Sequence, residues 1–184
     1  MKYDFLGTFC IFLAVMGLTE TARADFNSSM TTNKSVNVST TRQVDGNRQA
    51  PIAPVMNSLE LEIFKQVNQY RQSQKLAPLV FDPEVSAQAK AHSETMARAG
   101  GLSHDGFNER IDSISDKIVY KSAAENIASN RGYKQPEVTA VQGWIESPGH
   151  QHNIIGRYNL TGIGVAQSAQ GEYYFTQIFV RKPR

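Results

Sequence analysis

All four histidines of the chain fall between Ala91 and Asn153. His92 sits in Ala91-His92-Ser93, His104 in Leu102-Ser103-His104, and His150 and His152 in Ser147-Pro148-Gly149-His150-Gln151-His152-Asn153. Between them, Glu125 opens Glu125-Asn126-Ile127-Ala128. Imidazole titrates near neutrality and binds divalent metals through a neutral nitrogen, so histidines grouped with a carboxylate are the raw material of an acid/base site or a metal site. Other signatures of catalysis are missing. The sequence has no G-x-S-x-G elbow, no H-E-x-x-H zinc helix and no phosphate-binding glycine loop, and its single cysteine, Cys10, lies in an N-terminal apolar run. Ser93, Ser103 and Ser147 each stand near a histidine along the chain, but a triad is defined in space.

The residues differ in what their surroundings imply. His104 follows Gly100-Gly101 and precedes Asp105-Gly106, which puts it on a turn near the surface. Glu125, read by itself, is a turn carboxylate that is either solvated or starts a helix, and its removal is expected to leave the fold intact. Asn126 reads as a side chain tying backbone groups. His92 falls on the apolar face of a helix, where a buried imidazole bonded to a carbonyl is the simplest role. His150 follows Pro148-Gly149, which is expected to end a helix and leave His150 at its C-terminal edge, a place that favours an imidazolium. His150 and His152 would share a face only in an extended segment. Arg110 is placed to pair with Glu125 or another carboxylate as a structural ion pair.

Taken in order, the AHS, SH, ENIA and W-x-x-S-P-G-H-x-x-N segments resemble the motif set of the CAP superfamily, also called the SCP domain, and in particular its bacterial branch. The resemblance covers roughly residues 58–181 and implies a three-layer α-β-α sandwich with a central antiparallel sheet. It also implies a cleft formed by His104 and Glu125, with His150 approaching it, where His104 and His150 could hold a divalent metal such as zinc. The chain departs from the family pattern at three places. Ala124 replaces the usual glycine before Glu125, Ser147 stands where a second glutamate is usual, and Tyr174 occupies the position of a second histidine in Tyr174-Phe175-Thr176-Gln177. Tyr174 is accordingly a cleft candidate.

The elements that must position these groups are legible in part. Ser58 is a plausible N-cap for a helix carrying Leu61, Ile63, Phe64, Val67 and Tyr70. Asp82-Pro83 opens a second helix, with Val85, Ala89, His92 and Met96 on one face and Gly100-Gly101 as its stop. A short turn or helix spans Phe107 to Ile111, and an irregular region leads to Glu125. A further helix runs from about Pro136 to Ile145. Leu160 to Ala166 and Tyr173 to Val180 read as strands joined at Ser168-Ala169-Gln170-Gly171. Helices first and a hairpin last give an α+β layering.

The 184 residues suffice for one sizeable domain. Lys2, the apolar run from Phe5 to Leu18 and Ala22-Arg23-Ala24 read as a signal peptide over residues 1–24, too short for a membrane span. Residues 25–57 are rich in Ser, Thr and Asn without apolar periodicity, the composition of a disordered linker, and residues 58–184 form the domain. Losing residues 1–24 removes Cys10 together with Lys2, Arg23, Asp4 and Glu20, leaving 17 basic and 15 acidic residues. A near-neutral chain without a basic block is not a nucleic-acid binder by composition. These features point to a secreted, monomeric protein with no membrane span after cleavage. It would act as a binding module for a lipid or small hydrophobic ligand; the alternatives are a metal-assisted hydrolase using His104 and Glu125, or a structural protein of the cell envelope.

Overall fold

A computed structural model describes residues 56–183. The expected signal peptide and nearly all of the linker lie outside the described residues. Helix α1 spans Ser58–Ser73; its N-cap is Asn57 rather than Ser58, because Asn57 and Glu60 exchange side-chain and backbone bonds in a capping box. Strand β1 is the pair Val80–Phe81. Helix α2, Pro83–Ala99, starts at Asp82, whose carboxylate accepts from the Glu84 and Val85 amides, and stops at Gly100 in the left-handed conformation at φ 73°. Helix α3 runs over Phe107–Ser115, a turn longer than the spacing suggested, because Ile114 adds a second apolar contact after Ile111.

The region expected to be irregular is instead strand β2, Ser122–Asn130. The segment Ser-Ala-Ala-Glu-Asn-Ile-Ala-Ser-Asn lacks the β-branched enrichment that marks strands, and pairing with a neighbour overrides its weak propensity. Helix α4 covers Pro136–Glu146 and helix α5 covers Pro148–Ile154. Ser147 ends one helix and begins the other, so Pro148 acts as the first residue of α5 as well as the stop for α4. Strands β3, Leu160–Gln167, and β4, Tyr173–Arg181, form the expected hairpin.

The sheet order is β1-β3-β4-β2. The three long strands are antiparallel, and β1 adds a short parallel pairing to β3. Alternation along β4 sorts the helices into two layers. Phe175 and Phe179 pack with Ile63 and Val67 of α1, Val141 and Trp144 of α4, and Ile154 of α5, whereas Ile178 and Val180 pack with Val85 and Ala89 of α2 and Ile111 and Ile114 of α3. This is an α+β fold in three layers, helices on both faces of a mainly antiparallel sheet.

Helix α2 lies directly on β3 because Gly162 and Gly164 leave room for it. A Cβ at Gly162 would stand 2.2 Å from the Ser86 amide nitrogen, and one at Gly164 would stand 2.2 Å from that of Lys90. The close approach lets Ser86 and Lys90 donate to the carbonyls of Ile163 and Val165, while Glu60 accepts from the Val165 amide at 3.1 Å. Side chains thus satisfy the edge of β3 that the two-residue β1 leaves uncovered.

Candidate functional site

Glu125 lies inside β2, the edge strand, with its side chain 2% exposed, and not on a turn. Strand alternation turns it toward α2 and α3, and there both carboxylate oxygens are engaged. Arg110 of α3 donates from Nε to Oε2 at 3.0 Å and from Nη2 to both oxygens at 2.8 Å. His104 Nδ1 meets Oε1 at 2.9 Å. A carboxylate bonded to Arg only accepts, so Nδ1 carries the proton and the ring presents Nε2 outward. The His104 side chain is 54% exposed, as a residue on the loop between α2 and α3 should be.

That loop is tied down on either side of His104. His92 on α2 is buried, and its Nε2 donates to the Ser103 carbonyl at 2.7 Å. Arg110 Nη1 donates to the Asp105 carbonyl at 2.8 Å. The expected bond from His92 to a carbonyl is therefore present, and the carbonyl it selects belongs to the residue preceding His104. Burial, more than any neighbour, pushes the His92 pKa down; the Glu125 charge acts in the opposite direction.

The opposite face of β2 carries Asn126, whose side chain donates to the His150 carbonyl at 3.1 Å and accepts from Asn153 at 2.9 Å. His150 lies in the first turn of α5, not at the trailing edge of α4, so the helix-end argument for an imidazolium fails. Burial, and secondarily the charge of His104, hold its pKa below the usual histidine range. His104 and His150 thus approach one strand edge from its two faces. His152 is exposed on the same short helix. Tyr174 shares the Glu125 face but sits four residues along the sheet, roughly 13 Å away. Its ring packs with Met96 and Ile127, and its hydroxyl bonds Glu172 at 3.2 Å, so the structure does not bring it to Glu125.

The edge of β2 is closed by two side chains to which the sequence reading gave no such role. Trp144 Nε1 donates to the Ile127 carbonyl at 2.9 Å, and Asn153 Nδ2 donates to the Glu125 carbonyl at 3.3 Å. The tryptophan and the asparagine that bracket the Ser-Pro-Gly-His block are therefore the two ends of one clamp on alternate residues of the edge strand. The fixed interval between them was the available signal.

A zinc ion held by protein side chains needs three or four nitrogen, sulfur or carboxylate donors. Among the described residues no three His, Cys, Asp or Glu side chains converge in that way, and the oxygens of Glu125 are already bonded to Arg110 and His104. His104 and His150 leave a protein-held zinc without a third donor.

The profile of the CAP: Cysteine-rich secretory protein family matches residues 64–179. The chain belongs to the CAP family. The Bacillus subtilis protein YkwD, described as uncharacterized, is 34% identical over an alignment of 167 residues that covers 89% of this chain and 60% of that protein. The chain therefore spans under two thirds of that relative's length. An extracellular protein containing an SCP domain from Bacillus anthracis is 29% identical, with a TM-score of 0.58 over 67% of this chain and 40% of its own. An outer surface protein of Borrelia burgdorferi shares the fold at 18% identity, TM-score 0.59, over 70% of this chain and 97% of its own. The single cysteine, Cys10, lies outside the matched region. Among the described residues no helix is long and apolar enough to cross a membrane.

Proposed function

We propose that this CAP domain is an extracellular binding module, exported by residues 1–24, and that it reads a small hydrophobic ligand with a hydrogen-bond-donating end at the edge of β2. The observation that carries this reading is the full engagement of Glu125. With both oxygens bonded to Arg110 and His104, the carboxylate serves to orient the imidazole, and His104 Nε2 is the acceptor offered to a ligand. Three residues after His104, Phe107 begins an open groove of about 230 Å³ whose floor of Ile111, Tyr120 and Ala123 offers an apolar tail a seat beside the polar side chains of Asn108 and Asp112.

The metal-assisted hydrolase has less support, because a general base must have a lone pair free for the proton it takes. Calorimetric titration of a medium-chain fatty alcohol into wild type, His104→Ala and Tyr120→Ser, each with a thermal melt to show that it is folded, tests the proposal, with metal content measured on the same samples. Saturable binding weakened at least about tenfold by both substitutions is expected. Stoichiometric zinc that is lost in His104→Ala, with no alcohol binding, would replace this reading by the hydrolase.

A further inference from the structure

The end of the sheet remote from Tyr174 carries a second surface, which adjoins the groove at Tyr120. There the backbone bonds form a continuous path across the strands. The Val80 amide donates to the Asn159 carbonyl at 2.9 Å, the Asn159 side chain bonds the Lys182 amide and carbonyl at 2.8 and 2.9 Å, and the Lys121 amide donates to the Arg181 carbonyl at 2.8 Å. Three strand spacings separate Val80 from Lys121, about 14 Å. Lys121, Arg181 and Lys182 are exposed along this path, and Arg157 is exposed two residues before Asn159. Among the described residues none of the four joins an ion pair. Of the carboxylates close by in the chain, Glu84 pairs with Lys117, Asp82 caps α2, and Asp116 stands exposed at the end of α3.

Two exposed valines flank the basic path. Val80 is 61% exposed at one side, and Val119, two residues before Lys121, is 73% exposed at the other. They are the most exposed large apolar side chains among the described residues. A lone exposed valine needs no explanation, but two bracketing a stripe of unpaired cations have the chemistry of an interfacial docking surface. The cations meet the charge of acidic headgroups while the aliphatic tips enter the headgroup and acyl boundary. A soluble polyanion would engage the cations and gain nothing from the valines.

We propose that this end of the sheet, Val80, Val119, Lys121, Arg157, Arg181 and Lys182, docks the CAP domain on an anionic lipid bilayer. Each basic side chain near such a surface contributes about fivefold in partitioning, so the four together give roughly several hundredfold. The interaction weakens as salt shortens the screening length from about 10 Å at about 0.1 M to about 3 Å at about 1 M.

Co-sedimentation of the exported protein with phosphatidylglycerol/phosphatidylcholine vesicles and with phosphatidylcholine vesicles tests this. Wild type should favour the anionic vesicles at least about tenfold and lose them at high salt. The triple variant Lys121→Glu, Arg181→Glu, Lys182→Glu should lose that preference, as should the milder Lys121→Gln, Lys182→Gln pair to a smaller degree, each with an unchanged thermal melt. Val119→Ser should weaken partitioning at least about threefold while leaving its salt dependence intact. Equal partitioning into neutral and anionic vesicles, no binding to either, or a triple variant that binds like wild type would overturn the proposal. So would a Val119→Ser variant that binds like wild type while inorganic polyphosphate competes fully, since the surface would then be a polyanion site.

Discussion

Glu125 changes character most between sequence and structure. As a turn carboxylate it would be dispensable, but inside β2 it faces the Arg110 guanidinium in a buried ion pair. Breaking such a pair from one side leaves the other charge without compensation, at about 3–5 kcal/mol. Glu125→Gln is therefore expected to cost that much in chemical denaturation, whereas His104→Ala, half-exposed, should cost under about 1 kcal/mol. A Glu125→Gln loss no larger than that of His104→Ala would mean that solvent reaches the pair. His92 and His150 carry a pH signature. Their folded pKa values lie below the unfolded value of about 6.5, so the unfolded chain binds the proton more readily. The stability they contribute is present above about pH 6.5 and is lost as pH falls from there toward their folded pKa values. Denaturant midpoints across that range should decline for wild type and decline less for His92→Gln, which keeps a donor for the Ser103 carbonyl; parallel curves would show that His92 takes no part.

Among the elements, the edge strand β2 and the seat of α2 on β3 depend on single atoms. Trp144 both fills the core and satisfies the Ile127 carbonyl. Trp144→Ala is expected to cost about 3–5 kcal/mol, the range for deleting a large buried aromatic. Trp144→Phe keeps an aromatic ring in the core but drops the indole donor and part of the ring volume, so it should cost less than Trp144→Ala, about 1–3 kcal/mol. Equal losses for the two would mean the hydrogen bond, not the packing, carries the residue. Gly164→Ala meets the backbone of α2, which cannot yield as a flexible side chain would. Its cost should reach or exceed the roughly 1–3 kcal/mol of ordinary overpacking, and a thermal melt unchanged from wild type would show that α2 stands further from the sheet.

For the whole molecule, the amino-acid sequence determined the parts whose signal is local. Asp82-Pro83 and Gly100 bound α2 because caps act within one turn, and the β3-β4 hairpin shows as two short strand-like runs joined at Ser168-Ala169-Gln170-Gly171, nearly continuous in burial because both faces of each strand are covered. The proposed export rests on a local signal too: the protein recovered from the medium is expected to begin at Asp25, and an intact mass that retains Met1 to Ala24 would refute it. The cleft candidates His104 and Glu125 were legible as residue types in a familiar order, and Arg110 as a possible partner. What the sequence could not convey was how they meet. Polar, alanine-rich β2 is a strand only because β4 pairs with it, and its register then sends Glu125 to one face and Asn126 to the other. Tyr174, on the right face, falls too far along β4 to join them. Pro148 reads as a stop because proline cannot continue a helix, and the same rigidity starts α5, which moves His150 from a helix end to a helix beginning. Caps and turns depend on neighbours within a few residues, but the face on which a side chain lands depends on pairings dozens of residues apart, and those only the tertiary structure decides.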